Sequence, residues 1–237
     1  MIIFLLLIFT SDSLTILYNE GNKFYAQGDY LSAIASYEQA LKFGINKNLY
    51  YNLGNAYFKS NRIGKAIIYF YRARLLSPRD RDTNYNLKFA RNYRADKDIT
   101  IQNPFFIAIS NLFHYFSYRE SWILGTIVFL IFSVFFALFI IYRTKYTIII
   151  SIFLFIIFFY FLITYLVWSS EINRKLAVVV VPEVKAYSGP GEEYKEILII
   201  HDGAEARILE ERNGYYLIQL PGGIGGWIKT ENVEPVF

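Results

Sequence analysis

WILGTIVFLIFSVFFALFIIY, residues Trp122–Tyr142, runs 21 residues without a charge; after Arg143-Thr144-Lys145 a second stretch, YTIIISIFLFIIFFYFLITYLVW (Tyr146–Trp168), runs 23 more. At about 1.5 Å per residue each makes a helix roughly 30–35 Å long, enough to cross the hydrocarbon core of a bilayer. Trp122, Tyr142, Tyr146, Tyr165 and Trp168 stand near the ends, where an aromatic belt sits at the membrane–water boundary. The link 143–145 has two positive charges and no negative one. The positive-inside rule therefore places it in the cytoplasm and both flanks on the opposite face. Neither stretch contains Asp, Glu, Lys, Arg or His, so the pair reads as an anchor rather than an ion or proton path. The expected arrangement is transmembrane helix 1 over 122–142, a cytoplasmic loop over 143–145 and transmembrane helix 2 over 146–168.

Composition narrows the rest. The net charge of +4 is spread without a dense basic tract, so nucleic acid is not an expected partner. Cys is absent, which removes disulfides, thiol chemistry and Cys-ligated metals. The two His, His114 and His201, are isolated, and no metal site or cofactor is expected. Ile2–Phe9 is a short apolar run followed by Thr10-Ser11-Asp12-Ser13. Residues 1–13 read as a signal peptide or apolar leader, with no Lys or Arg ahead of the run.

Residues 14–97 repeat internally. Tyr18-Asn19-Glu20-Gly21-Asn22 recurs as Tyr51-Asn52-Leu53-Gly54-Asn55, and Tyr51-Asn52-Leu53 recurs as Tyr85-Asn86-Leu87. A period of about 34 residues with two helices per unit resembles the tetratricopeptide repeat. Gly21, Phe24, Gly28, Tyr30, Ala33, Tyr37 and Ala40 occupy the motif positions in the first unit. Tyr50, Leu53, Gly54, Tyr57, Ala66, Phe70, Ala73 and Pro78 do so in the second, with Asn61 at the turn usually held by Gly. A third unit is a single helix from Asp82 to about Arg94, like the helix that caps such arrays. The resemblance implies an extended peptide bound along the face of the first helices. Carried over, that face comprises Tyr18, Asn19, Asn22, Tyr51, Asn52, Asn55, Lys59, Tyr85 and Asn86. Asn can donate and accept, as a peptide backbone requires. Asp82 and Asn86 stand where some relatives carry basic residues that clamp a terminal carboxylate, so that mode is not expected.

Residues 98–121 form a polar link, an Asn103-Pro104 turn and an amphipathic segment whose Phe105, Ile109, Leu112, Phe113 and Phe116 fall on one side, as in a helix lying on a membrane. From 176 to 237 the pattern changes to short alternating strands. Asp202-Gly203, Asn213-Gly214 and Gly222-Gly223 mark turns, and Gly222–Gly226 reads as a hairpin tip because no Lys-Ser/Thr follows it. Ser188-Gly189-Pro190, Gly203 and Gly226-Trp227-Ile228 resemble the bacterial SH3-type domain, which implies a small barrel. Tyr187 and Tyr215 depart from the Arg and Trp usual there. A second groove is expected from Tyr187, Tyr194, Tyr215 and Trp227, able to take a peptide or a peptidoglycan stem.

The expected fold is thus multi-domain: an all-α tetratricopeptide array, a two-helix transmembrane hairpin and a small all-β SH3-like barrel. This order, with Asn103-Pro104-Phe105 and Ser121-Trp122, resembles BatE-type proteins of bacterial aerotolerance (Bat) operons. The resemblance implies a two-pass protein of the bacterial inner membrane with both soluble parts periplasmic. It also implies partnership with von Willebrand A-domain membrane proteins and an AAA+ ATPase of the MoxR kind. Three functions compete: a non-enzymatic scaffold, a cell-wall-binding envelope sensor and a hydrolase. His201 beside Asp202, without a nucleophile, makes a poor case for the third.

Overall fold

The computed structural model describes residues 2–96 and 103–237, and side chains from Asp12 onward. The leader reading for 1–13 falls largely outside the described side chains. Before the link come five helices: α1 (Ile2–Ala26), α2 (Tyr30–Ala40), α3 (Lys47–Lys59), α4 (Ile63–Leu76) and α5 (Arg81–Tyr93). Their boundaries follow from side-chain caps. Asp29, Asn46 and Asp80 accept the amides of Ser32, Leu49 and Thr83 at 3.1, 2.8 and 3.0 Å. Gly28 turns α1 into α2 at φ +80°, and Asn61 makes the equivalent turn between α3 and α4 at φ 60°. Helices approach closely at Gly21, which lies against the Tyr37 ring, and at Gly54, where a Cβ would come within 2.7 Å of Phe70. The core is continuous from Ala33 and Leu49 through Phe70 to Leu87 and Ala90.

After the hairpin come β1 (Leu176–Val179), β2 (Glu183–Tyr187), β3 (Glu196–His201), β4 (Glu205–Arg212), β5 (Tyr215–Gln219), β6 (Gly225–Lys229) and β7 (Val233–Pro235). They form one antiparallel sheet in the order β3-β2-β6-β5-β4-β1-β7. Asn213 and Gly214, both at positive φ, make the two-residue turn between β4 and β5. The glycine-rich tip is shorter than the sequence reading has it. Gly225 and Gly226 belong to β6, paired with Gln219 and Ile218, and a Cβ on Gly226 would press on Ala186 and Ile197 at 3.0 Å. Those two glycines serve close packing; the turn itself needs only Gly222 and Gly223, at φ +96° and +89°.

The two segments read from sequence as separate modules form one compact unit. Val178 and Val236 join the helical core. Arg62, at the start of α4, supplies no cap. Asp202 does so from the sheet, accepting Ile63 N at 2.7 Å and Gly64 N at 3.0 Å. Gly64 admits β1, because a Cβ there would collide with the Val179 carbonyl. Glu205 holds Arg91 through two bonds of 2.7 Å and Arg94 at 2.9 Å, with Glu205 and Arg94 both buried. Arg72 reaches the Val236 carbonyl at 2.9 Å, Lys65 pairs with Glu234, and His201 N donates to Asp96 at 2.7 Å. The third repeat has only one helix, and the sheet covers apolar surface that two and a half repeats leave open.

Residues 102–173 form the second unit. It holds α6 (Pro104–Phe113), α7 (Tyr118–Tyr142) and α8 (Lys145–Asn173); the latter two are long and apolar enough to cross a membrane. Both exceed the uncharged stretches. Ser117 and Glu120 make a capping box that starts α7 four residues early. Arg143 ends α7 at φ 50°, and Lys145 already belongs to α8, so the break is shorter than 143–145. Phe116 lies beyond the end of α6 rather than on its face; its carbonyl accepts Trp168 Nε1 at 2.7 Å.

Candidate functional site

The first helices α1, α3 and α5 lie side by side, and an asparagine ladder crosses them. Asn52 Nδ2 donates to Tyr18 OH at 3.0 Å and to Asn22 Oδ1 at 2.9 Å. One repeat on, Asn86 Nδ2 donates to Tyr51 OH at 3.1 Å and to Asn55 Oδ1 at 2.9 Å. The geometry repeats because the sequence does: Tyr18, Asn22 and Asn52 correspond to Tyr51, Asn55 and Asn86. Six of the nine groove residues expected from sequence are thereby brought together. The other three stand apart from the ladder. Asn19, the counterpart of Asn52 on α1, is exposed. Lys59 is exposed at the end of α3, and Tyr85 stacks on Phe89 at 6.2 Å.

Between α1, α2 and α3 the ladder borders a half-open cavity of about 210 Å³ lined by Asn22, Tyr25, Tyr37, Asn52 and Asn55. Tyr37 passes its ring beside Gly21 and donates its hydroxyl to Asn22 Oδ1 at 2.8 Å. Desolvation by burial pushes the phenols of Tyr37 and Tyr25 above their ordinary value, so both are neutral donors at pH 7. The corresponding residue in the second unit is Phe70, which has no hydroxyl. There the groove is aromatic instead: Phe58 meets Phe89 at 5.5 Å and Tyr93 at 5.4 Å. Tyr85, Phe89 and Tyr93 are 68, 47 and 61 % exposed. The reading from sequence missed Tyr25, Tyr37, Phe58, Phe89 and Tyr93. The Tyr37/Phe70 difference across 33 positions was the available signal.

In the sheet, Tyr187 stands opposite Trp227, and Trp227 opposite Leu217, so these share a face with Tyr215 two residues from Leu217. Trp227 is only 9 % exposed, and Tyr194 packs against Gly189. The outward surface there is tyrosine, not indole. Among the described residues no group of His, Asp and Glu could hold a metal ion. His201 Nδ1 faces Asp96 at 3.1 Å, and His114 Nε2 faces Glu171 at 2.7 Å.

Among known families, the tetratricopeptide repeat matches residues 48–80, which comprise α3 from its second residue, the Asn61 turn and α4. No curated protein matches the chain. The chain therefore contains a tetratricopeptide repeat, two helices able to span a membrane and an antiparallel sheet, a combination that points to protein–protein interaction.

Proposed function

We propose that this protein is a membrane-anchored, non-enzymatic scaffold whose asparagine-lined groove binds an extended segment of a partner protein. The observation that carries this reading is the joint unit built from both flanks of the hairpin. The chain leaves that unit before α6 and rejoins it after α8. Two segments sharing a buried interface lie on one side of a membrane, so an even number of crossings separates them, and α7 and α8 supply two. At ten residues, or about 15 Å, α6 is too short to add a third. Rows of exposed Phe, Ile and Leu on α7 and α8 are costly in water and suited to lipid. Aromatic belts agree: Tyr118 and Trp122 gather on Tyr165 at 4.9 and 5.5 Å at one end, and Tyr142 and Tyr146 stand exposed at the other.

The basic turn at Arg143 and Lys145 favours a cytoplasmic tip, with the groove and the sheet, which we read as an SH3-type barrel, outside it. The resemblance to BatE-type proteins then names the partners: von Willebrand A-domain membrane proteins meeting the soluble unit, and a MoxR-type ATPase able to reach only the tip. Fusions of alkaline phosphatase and of a fluorescent protein active only in the cytoplasm, made separately after Lys97 and after Phe237, test the topology. Phosphatase activity at both sites supports it; fluorescence at both inverts the hairpin; a split result refutes the two crossings. Asn52→Ala with Asn55→Ala is expected to weaken crosslinked recovery of the partner from membranes, and unchanged recovery would sink the groove reading.

A further inference from the structure

The geometry points to a bipartite ligand code in the groove: one uncharged hydrogen-bonding side chain, a carboxamide above all, and an aromatic side chain about three residues away. This deepens the scaffold reading and rests on it. The ladder determines what the cavity offers. Asn22 Oδ1 is occupied by Tyr37 OH and Asn52 Nδ2, and Asn55 Oδ1 by Asn86 Nδ2. Both protons of Asn52 Nδ2 are used, on Tyr18 and Asn22. What is left without a hydrogen bond among the described residues is the Nδ2 of Asn22, the Nδ2 of Asn55, the Oδ1 of Asn52 and the hydroxyl of Tyr25, all on residues that line the cavity. These amide donors, the Tyr25 hydroxyl and the one amide acceptor complement the carbonyl and NH2 of a Gln or Asn side chain. No lining residue is charged at neutral pH, and burying a carboxylate or ammonium without a counter-charge is far costlier than burying an amide that is hydrogen-bonded. The volume of about 210 Å³ admits one side chain.

The next step along the array is chemically different. Phe58, Phe89 and Tyr93 form a half-exposed shelf between α3 and α5, suited to the edge or face of a ring. Neighbouring helices pack about 8–10 Å apart, and an extended peptide advances about 3.3 Å per residue. One repeat therefore corresponds to about three residues of ligand.

The test is selection of a randomised, end-capped nonapeptide display library on the full-length protein in lipid nanodiscs, run in parallel on Asn55→Asp. Wild type is expected to enrich Gln or Asn three positions from Phe, Tyr or Trp. Tyr37→Phe removes the hydroxyl that fixes Asn22, and with it the orientation of the Asn22 donor, and should weaken the best such peptide about fivefold. Asn55→Asp keeps the oxygen that accepts from Asn86, removes a donor and adds a charge. It is expected to shift the enriched pocket residue from Gln to Lys or Arg, a change of preference that unfolding cannot produce. Enrichment of acidic or basic residues by wild type, or an Asn55→Asp consensus identical to that of wild type, overturns the code while leaving the groove as a peptide site. Absence of any enriched peptide overturns both.

Discussion

Replacing Asp202 with Ala tests whether the helical array depends on the sheet. Asp202 lies 139 residues from Ile63, yet it does the work of a local N-cap for α4. Its removal leaves the amides of Ile63 and Gly64, both buried, without their acceptor. An N-cap is worth about 1 kcal/mol, and each buried donor left unsatisfied costs about 1–3 kcal/mol. Against this, burial raises the Asp202 carboxyl above its ordinary 3.8, outweighing the amides of Gly64, Ile63 and Gly203 that favour ionisation. Part of the cap's gain is thus offset by desolvation, and we take about 2 kcal/mol as the net loss. For a unit of this size that lowers Tm by about 4–8 °C. Thermal unfolding of the purified full chain, followed by circular dichroism at helical and sheet wavelengths, measures it. The sign of the pH effect is also determined. A carboxyl with a raised folded pKa contributes most below 3.8 and loses its contribution as pH rises through the raised value. The gap between wild type and Asp202→Ala should therefore widen as pH falls from 7 towards 4. A Tm within 1 °C of wild type, with sheet and helix signals melting apart, would refute the claim that the cap couples them.

Three further outcomes are expected. Gly64→Ala drives a methyl into the Val179 carbonyl, a backbone atom that cannot rotate away, and should cost more than the about 1–3 kcal/mol of ordinary overpacking; trypsin resistance of the soluble unit reads it. Glu205→Ala removes the carboxylate shared by Arg91 and the buried Arg94 and should destabilise by about 3 kcal/mol, more than Asp202→Ala, in urea unfolding. Asp80 has the opposite pH behaviour to Asp202. Although burial raises its carboxyl, the Thr83 hydroxyl and amide and Lys47 together lower it below 3.8. Its stabilisation is therefore full above 3.8 and lost as pH falls through the lowered value, so the advantage of wild type over Asp80→Asn should vanish in urea melts near pH 2–3 and persist at pH 6.

The helical half was legible because its signals are local. The 34-residue spacing, Gly28, Asn61 and the aromatic residues facing Gly21 and Gly54 each encode one turn or one close approach. Asn213-Gly214 likewise needs no distant partner. What escaped the sequence reading depends on contacts far apart in the chain. The Asp202 cap, the Glu205 triad and the admission of β1 at Gly64 join residues more than a hundred positions apart, and nothing near Ile63 announces that its cap comes from the turn between β3 and β4. The absence of a cap at Arg62 was the only hint. In the groove, the residue types were legible but their commitments were not. Asn22 and Asn55 look alike in sequence; only the ladder shows which end of each amide remains for a ligand.

Charge is divided between the two halves of the soluble unit. Residues 12–96 contain thirteen Lys and Arg against seven Asp and Glu, whereas 174–237 contain seven against ten. The helical half is basic, the sheet acidic, and the Lys and Arg ion pairs across the interface have their cations on the helical side: Arg91 and Arg94 to Glu205, Lys65 and Arg72 to Glu234. Long-range attraction thus favours docking before any short-range bond forms. Chain connectivity adds little. About 80 residues separate Asp96 from Lys175, and pinning Tyr118 to Tyr165 in the hairpin shortens the effective loop to about 30, which by loop-closure entropy is worth only about 0.8 kcal/mol. The Asp202 cap and the Glu205 triad each exceed that. The interface, rather than the hairpin, therefore holds the sheet on the array. The array in turn needs the sheet because its third repeat stops after one helix. An insertion that lengthens the link around Lys97 should accordingly leave the soluble unit folded, while a single change at Asp202 or Glu205 should loosen it.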